Sequence, residues 1–169
     1  MGINEQFWGY LSEALLPTIH SQPPKTMLLG EYKHNLDTKG RMAIPAKFRD
    51  KLGSGMILTR GLDNCLFVFG SQEWSVLSEK LMALPLTQAN SRAFVRLMLS
   101  GAVDVNIDAQ GRVLIPDYLR KYAHLQKDVV VTGLYNRAEI WDAEVWDRYK
   151  QKTESASDEI AEKLGELGI

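Results

Sequence analysis

Asp37-Thr38-Lys39-Gly40-Arg41-Met42-Ala43-Ile44-Pro45 returns further along the chain as Asp108-Ala109-Gln110-Gly111-Arg112-Val113-Leu114-Ile115-Pro116. The match extends outward in both directions. Upstream, the segment beginning Gly30-Glu31-Tyr32 lies over the one beginning Gly101-Ala102-Val103. Downstream, Phe48 falls on Leu119 and Arg49 on Arg120. After one inserted residue, Gly61-Leu62 meets Gly133-Leu134, Asn64 meets Asn136, Val68-Phe69 meets Ile140-Trp141, and Trp74 meets Trp146. Ordered matches over about 45 residues mean two copies of one unit.

Each copy has the same local grammar. Val103, Val105 and Ile107 alternate with polar neighbours and predict a strand; Tyr32, His34 and Leu36 do so more weakly. The Asp-x-x-Gly-Arg turn follows, its glycine free to take a positive φ. A short apolar run comes next, Met42-Ala43-Ile44 or Val113-Leu114-Ile115, and then Pro45 or Pro116 at the predicted first position of a short helix. Ile44, Phe48 and Leu52, or Ile115, Leu119 and Tyr122, give that helix its buried side. Two more strands close each copy: Met56–Thr59 and Leu66–Phe69, then Val129–Thr132 and Ala138–Trp141. Arg60–Asn64 and Gly133–Arg137 carry turn residues and read as hairpins.

Helices are expected between and after the copies. Ser71 reads as the N-cap of a helix through Trp74, Leu77, Leu81 and Leu84; Pro85 ends it, and Thr87 reads as the cap of a second helix with Phe94, Leu97 and Met98. Asp142 reads as the cap of a helix through Trp146 and Tyr149, and the tail from Thr153 carries Ile160, Leu164 and Leu167 on one stripe. The expected organisation is an N-terminal extension (1–26), repeat 1 (30–74), a helical insert (75–100), repeat 2 (101–146) and an acidic helical tail (147–169). In the extension, Ile3, Phe7, Leu11, Ala14 and Leu15 are spaced for one amphipathic helix before Pro17 and Pro23-Pro24. A unit this small buries little core alone, so the two copies should pack together as a pseudo-dimer. Leftover strand edges and apolar helix faces then favour a homo-oligomer. The fold class is α+β.

Composition sets wider bounds. The 169 residues are 45% hydrophobic and 24% charged, which excludes a wholly disordered chain. The one cysteine, Cys65, cannot form an internal disulfide, and a reducing compartment is the simpler expectation. No run reaches the ~18 apolar residues of a membrane span. The first lysine, Lys25, follows Glu5 and Glu13, so a secretory leader is not expected. A cytoplasmic protein with no membrane partner is expected. Net charge is −1, but its distribution is uneven. From Gly30 to Arg60, seven Lys and Arg face three acids, a balance of +4; from Asp142 to Ile169, eight acids face four bases, a balance of −4. A basic segment inside a neutral total suits a polyanionic partner.

The doubled Asp-x-x-x-Arg motif in a strand–turn–strand setting resembles the swapped-hairpin barrel of the SpoVT/AbrB superfamily. From Met27 onward the chain resembles the MraZ family of bacterial transcriptional regulators. The resemblance rests on Met27-Leu28-Leu29-Gly30-Glu31-Tyr32, Asp37 to Arg41, Ile44 to Lys47, Asp108 to Pro116, and Glu139-Ile140-Trp141-Asp142. It implies two tandem AbrB-like β-barrel half-units and a ring-shaped homo-oligomer. It also implies binding to short direct repeats in the double-stranded promoter DNA of its own division and cell-wall operon, hence a nucleoid-associated location. Occupying a promoter blocks polymerase, so repression is the expected outcome. AbrB-like folds also serve as antitoxins, and an interaction module acting through a partner protein is the alternative. Family members usually begin near Met27, so residues 1–26 read as an upstream start or added sequence rather than a functional arm.

Arg41 is the first candidate for a DNA contact, because guanidinium forks onto guanine edges or phosphate. Asp37, four residues earlier, can orient it without consuming all five donors. Arg112 with Asp108 repeats the pair in a copy whose charges balance, which suggests that one half binds DNA while the other mainly builds the ring. Lys33, His34 and Lys39 flank the first turn as further candidates. Lys47, Arg49 and Lys51 are expected to balance the fold, Arg92 and Arg96 to sit on the surface, and Trp74, Trp141, Trp146 and Cys65 to pack inside. His20, His34 and His124 match no ligand spacing, and no phosphate loop or nucleophile elbow occurs. An Asp beside its own Arg has a lowered pKa, poor provision for a general acid. No catalysis, cofactor, metal or small-molecule substrate is expected.

Overall fold

The alternating stretch that heads each repeat forms an extended strand, β1 (Leu28–Asn35) or β5 (Val103–Asn106). The computed structural model describes residues 27–165; the predicted helix of the extension and Leu167 of the tail stripe lie outside the described residues. After each turn come a three-residue strand, β2 (Arg41–Ala43) or β6 (Arg112–Leu114), and a short helix, α1 (Ala46–Leu52) or α4 (Asp117–Tyr122). A hairpin follows: β3 (Gly55–Arg60) with β4 (Leu66–Gly70), or β7 (Asp128–Tyr135) with β8 (Ala138–Asp142). Helix α2 (Ser71–Met82) starts directly after β4, and α5 (Ala143–Ser155) directly after β8. Helix α3 (Ala89–Gly101) leads into repeat 2, and α6 (Ser157–Gly165) ends the described chain.

The strand pairing joins the two repeats. Six antiparallel strands run in the order β1-β7-β8-β4-β3-β5, and β2 pairs with β6 as a separate two-stranded ribbon. Each repeat's first strand therefore pairs with the other repeat's third: Tyr32 lies opposite Val131, and Val105 opposite Met56. The order reads the same from both ends under exchange of the repeats, which places a pseudo-two-fold axis between β4 and β8. Neither repeat closes a sheet by itself.

One core lies beneath this arrangement. Met42, Phe48, Leu58 and Val68 of repeat 1 join Val113, Leu119, Val131 and Ile140 of repeat 2, all buried. The Phe48 ring meets Tyr32 edge-on, with ring centroids 5.1 Å apart. It also lies so close beneath Gly133 of β7 that a side chain there would collide with it. Phe48 is thus a wedge between repeats.

Several local expectations shift by a residue. Pro45 and Pro116 are the residues before their helices: ψ values of 130° and 147° leave them extended, although a proline's φ suits a helix. Ser71 is the first residue of α2, because β4 runs into the helix at Gly70 without a loop. Gln88, and not Thr87, precedes α3. Asp142 does cap α5, its carboxylate accepting from the N–H groups of Glu144 and Val145. The hairpins form as expected, with positive φ at Asp63 and Asn64 in one and Tyr135 in the other. Trp141 and Cys65 are buried, while Trp74 and Trp146 are half-buried against Phe69 and Trp141. Helix α6 buries no residue of its own.

Because Phe48 fills space shared by both repeats, Phe48→Ala should lower unfolding stability by about 3–5 kcal/mol. Urea denaturation followed by circular dichroism measures this. A loss below about 1 kcal/mol would contradict the shared core.

Candidate nucleic-acid interface

In each turn the aspartate carboxylate replaces missing backbone partners. Asp37 Oδ1 accepts from the N–H groups of Lys39 and Arg41, at 2.9 Å each, and Oδ2 accepts from Arg41 Nε at 2.8 Å. Arg41 Nη2 stands 2.7 Å from the same oxygen. Asp108 repeats the pattern: Oδ1 accepts from Gln110 and Arg112 N–H, and Oδ2 takes Arg112 Nε and Nη2 at 2.9 and 2.8 Å. Backbone bonds from Gly40 N–H to Asp37 C=O and from Asp37 N–H to Arg41 C=O close the first turn. Gly40 and Gly111 both sit at φ 78°, a conformation that side chains resist.

The two turns then lock to each other. Ile44 N–H donates to Gly111 C=O and Ile115 N–H to Gly40 C=O, both at 2.9 Å. Between them the ribbon pairs Arg41 with Leu114, Met42 with Val113 and Ala43 with Arg112. Residues directly opposite share a face, and alternate residues along a strand share it too. Met42 and Val113 therefore point into the core, and Arg41, Ala43, Arg112 and Leu114 point out. Leu114 is 54% exposed, a flat apolar spot between the arginines. Arg112 Nη1 comes within 4.0 Å of Asp37, so the turns are also electrostatically coupled. The bidentate pairs engage Nε and Nη2 of each arginine and leave donor capacity facing outward.

The surroundings add positive charge. The Arg120 guanidinium lies over Gly40, and that of Arg49 over Gly111, so each helix arginine covers the opposite repeat's turn. Arg49 Nε also donates to Ile44 C=O at 3.0 Å. Lys39, Arg41, Arg49, Arg112 and Arg120 thus stand around the two brace carboxylates, Asp37 and Asp108, while Asp117 pairs with Arg120 and Lys121. Arg49 and Arg120 were not among the expected site residues. Their matched places in the repeat were the signal that both serve its architecture.

The other candidates separate. Arg41, Arg112, Asp37, Asp108 and Lys39 come together at the ribbon. Lys33 and His34 are neighbours in β1 and so face opposite sides of the sheet. His34 lies half-buried toward Arg49; burial first, and the Arg49 charge second, push its pKa below the usual histidine value. It is a neutral imidazole at neutral pH. Lys33 shares the other face with Glu31, which pairs with Lys150 of α5 at 3.1 Å. Lys47 is exposed, and Lys51 binds Glu73 of α2. Among the described residues, no group of three metal-ligating side chains could hold a metal ion, and no helix is long and apolar enough to cross a membrane.

The fold and the ribbon define a tandem-repeat α+β protein whose two halves jointly present a pair of carboxylate-braced arginines. Two successive segments, 27–97 and 98–166, match the family described as "MraZ protein, putative antitoxin-like". The chain belongs to the MraZ family. It is 51% identical over 143 residues to a protein of Caldanaerobacter subterraneus subsp. tengcongensis, a span covering 85% of this chain and all of the relative. It is 52% identical over 143 residues to one of Natranaerobius thermophilus, with the same coverage. A protein of Carboxydothermus hydrogenoformans is 52% identical over 138 residues, 82% of this chain and 96% of the relative. All three bear the name "Transcriptional regulator MraZ".

The backbone and side-chain hydrogen bonds from Arg41, ahead of the opposing desolvation, hold the Asp37 carboxyl down at about 2. A lowered folded pKa means the ionised carboxylate stabilises the turn above the usual carboxylate range, and that contribution is lost as pH falls toward about 2. NMR titration of the Asp37 carboxyl should give that low midpoint, moving upward in Arg41→Ala as the guanidinium bonds disappear. A midpoint unchanged by Arg41→Ala would contradict the brace.

Proposed function

We propose that this protein is a sequence-specific regulator of transcription that grips double-stranded promoter DNA through the β2–β6 ribbon. The observation that carries the proposal is the pairing of Arg41 and Arg112 on one outward face, each braced by its own aspartate. A two-stranded ribbon fits the major groove, where a braced guanidinium can fork onto guanine. The names of the relatives support regulation of transcription. The cross-repeat strand exchange supports reading the fold as two swapped-hairpin barrel half-units forming a pseudo-dimer.

One such ribbon makes few contacts and binds weakly. A ring-shaped homo-oligomer would present several ribbons, and short direct repeats in register with them raise affinity through effective concentration. Aligning the ribbons with the repeats bends the duplex or opens the ring, so DNA deformability contributes to selection. The target proposed is the protein's own operon promoter, with repression as the result of occupying it and a nucleoid-associated place in the cytoplasm. Lys39 and the helix arginines supply phosphate contacts. Since both arginines share one face, both repeats contribute to binding.

Fluorescence anisotropy on the DNA upstream of the protein's own coding region tests this, beside a scrambled duplex and across a salt series. Arg41→Ala should weaken specific binding about ten- to a hundredfold, and Arg112→Ala should weaken it measurably too. Binding should fall steeply with salt. If the protein cannot distinguish its promoter from scrambled DNA, autonomous recognition fails. Co-elution with a second protein would then favour the interaction-module or antitoxin reading.

A further inference from the structure

The pseudo-two-fold axis relates the two turns, so whatever differs between their surroundings separates one end of the ribbon from the other. The difference begins in a connection. Repeat 1 passes from α1 to β3 through Gly53 and Ser54 alone, whereas repeat 2 takes residues 123–127 from α4 to β7. The longer link runs beside the first turn. Lys127 C=O accepts from Leu36 N–H at 2.8 Å, and Ser54 C=O accepts from Ile107 N–H in the equivalent place. Gln126 N–H donates to Asp142, the carboxylate that also caps α5. The backbone around Lys127 is thereby held from two directions, while its side chain is exposed.

The link walls an open cleft of about 630 Å³ whose lining includes Leu36, Asp37, Thr38, Arg120, Gln126 and Lys127. Asp37 is engaged by its own turn and by Arg41. Arg120 stands 3.5 Å from Asp117, yet its buried Nε has no partner among the described residues. The equivalent Arg49 Nε donates to Ile44 C=O. At the second turn, Ala109 takes the place of Thr38, Gln110 that of Lys39, Arg49 that of Arg120 and Ser54 that of Lys127. The charges differ accordingly. Beyond the two braced pairs, Lys39, Arg120, Lys121 and Lys127 face Asp117 at the first turn and its covering helix and link, a balance of +3. Lys47 and Arg49 face Asp50 at the second, a balance of +1, because Lys51 is held by Glu73.

We propose that the cleft beside the first turn seats a backbone phosphate of the duplex and thereby fixes which way round the ribbon lies on DNA. The inference rests on the DNA reading and deepens it. Two arginines related by a pseudo-two-fold axis offer much the same fork to a duplex in either orientation, because the two strands of DNA are themselves related by two-fold symmetry. An unequal flank removes that degeneracy. Lys127 brings a compact ammonium with three donors, Arg120 a guanidinium placed over Gly40, and Thr38 an exposed hydroxyl. A phosphate oxygen accepts from all three. At the second turn Arg49 stands with Gln110 and Ser54, which bring no charge. Phosphate contacts set register and orientation without reading bases. The cleft therefore sets direction while the ribbon reads sequence.

Directed DNA cleavage on the full chain tests the proposal. Ser54→Cys places an exposed thiol beside the second turn for an iron chelate that cuts nearby DNA, while Cys65 is buried and stays unlabelled. At saturating protein on the promoter duplex, the labelled chain should cut one side of each bound site at least about threefold more than the other. Adding Lys127→Ser and Thr38→Ala, which copy the second turn's residues, should bring the two sides level; both positions are exposed, so the fold is kept. In anisotropy, Lys127→Ser alone should weaken promoter and scrambled duplexes by the same factor and lower the salt slope by about one. Equal cutting on both sides before those substitutions overturns the proposal and leaves promoter recognition standing. So does one-sided cutting that survives them, or a salt slope indifferent to Lys127→Ser. Promoter and scrambled duplexes bound alike by the unsubstituted chain would overturn the DNA reading and this inference with it.

Discussion

Two hydrogen bonds across the pseudo-two-fold axis, from Ile44 N–H to Gly111 C=O and from Ile115 N–H to Gly40 C=O, set the geometry on which the rest depends. They hold the two turns side by side, so that Met42 and Val113 enter a common core while Arg41 and Arg112 face solvent together. Each turn needs its glycine at positive φ and its aspartate as an internal acceptor. Each also carries the other repeat's helix arginine on top of it. Packing, turn conformation and the charged face are therefore one construction. A change at any of these positions is felt in both repeats.

Duplication also explains the charge pattern. Net charge is −1, yet the ribbon is basic because the acids near it serve as braces rather than as free surface charges. A carboxylate committed to a guanidinium fixes its direction while its remaining N–H donors stay available. The excess acid lies at the far end of the chain, between Asp142 and Ile169. Function then follows from placement, which a total charge cannot express.

Much of the site was legible in the sequence because the repeat was. Matching Asp37-x-x-Gly40-Arg41 with its second copy identified the turns, the braces and both arginines. The hairpins and the Asp142 cap followed from local turn and capping chemistry. What stayed hidden depended on long-range pairing. That β1 joins β7 is a pairing between residues far apart in the chain, to which local alternation is blind. The strand period alone separates Lys33 from His34, and grouping them by nearness in sequence obscured this. Local sequence gives Arg49 and Arg120 only a charge-balancing role, because the glycines they cover belong to the opposite repeat. Caps at Ser71 and Thr87 failed for a simpler reason: strand β4 passes into α2 without a loop, and α3 starts one residue later than the side chain suggested.

Site-specific cross-linking from the ribbon face tests the central claim most directly. Leu114→Cys places one accessible thiol between the two arginines, while Cys65 is buried, with burial pushing its thiol pKa up and keeping it unreactive. Promoter DNA carrying a tethered thiol should form a disulfide with this variant faster than scrambled DNA does. It should also react faster than with Leu164→Cys on the exposed face of α6. Equal rates from the two positions, or indifference to the DNA sequence, would contradict recognition through the paired-arginine ribbon.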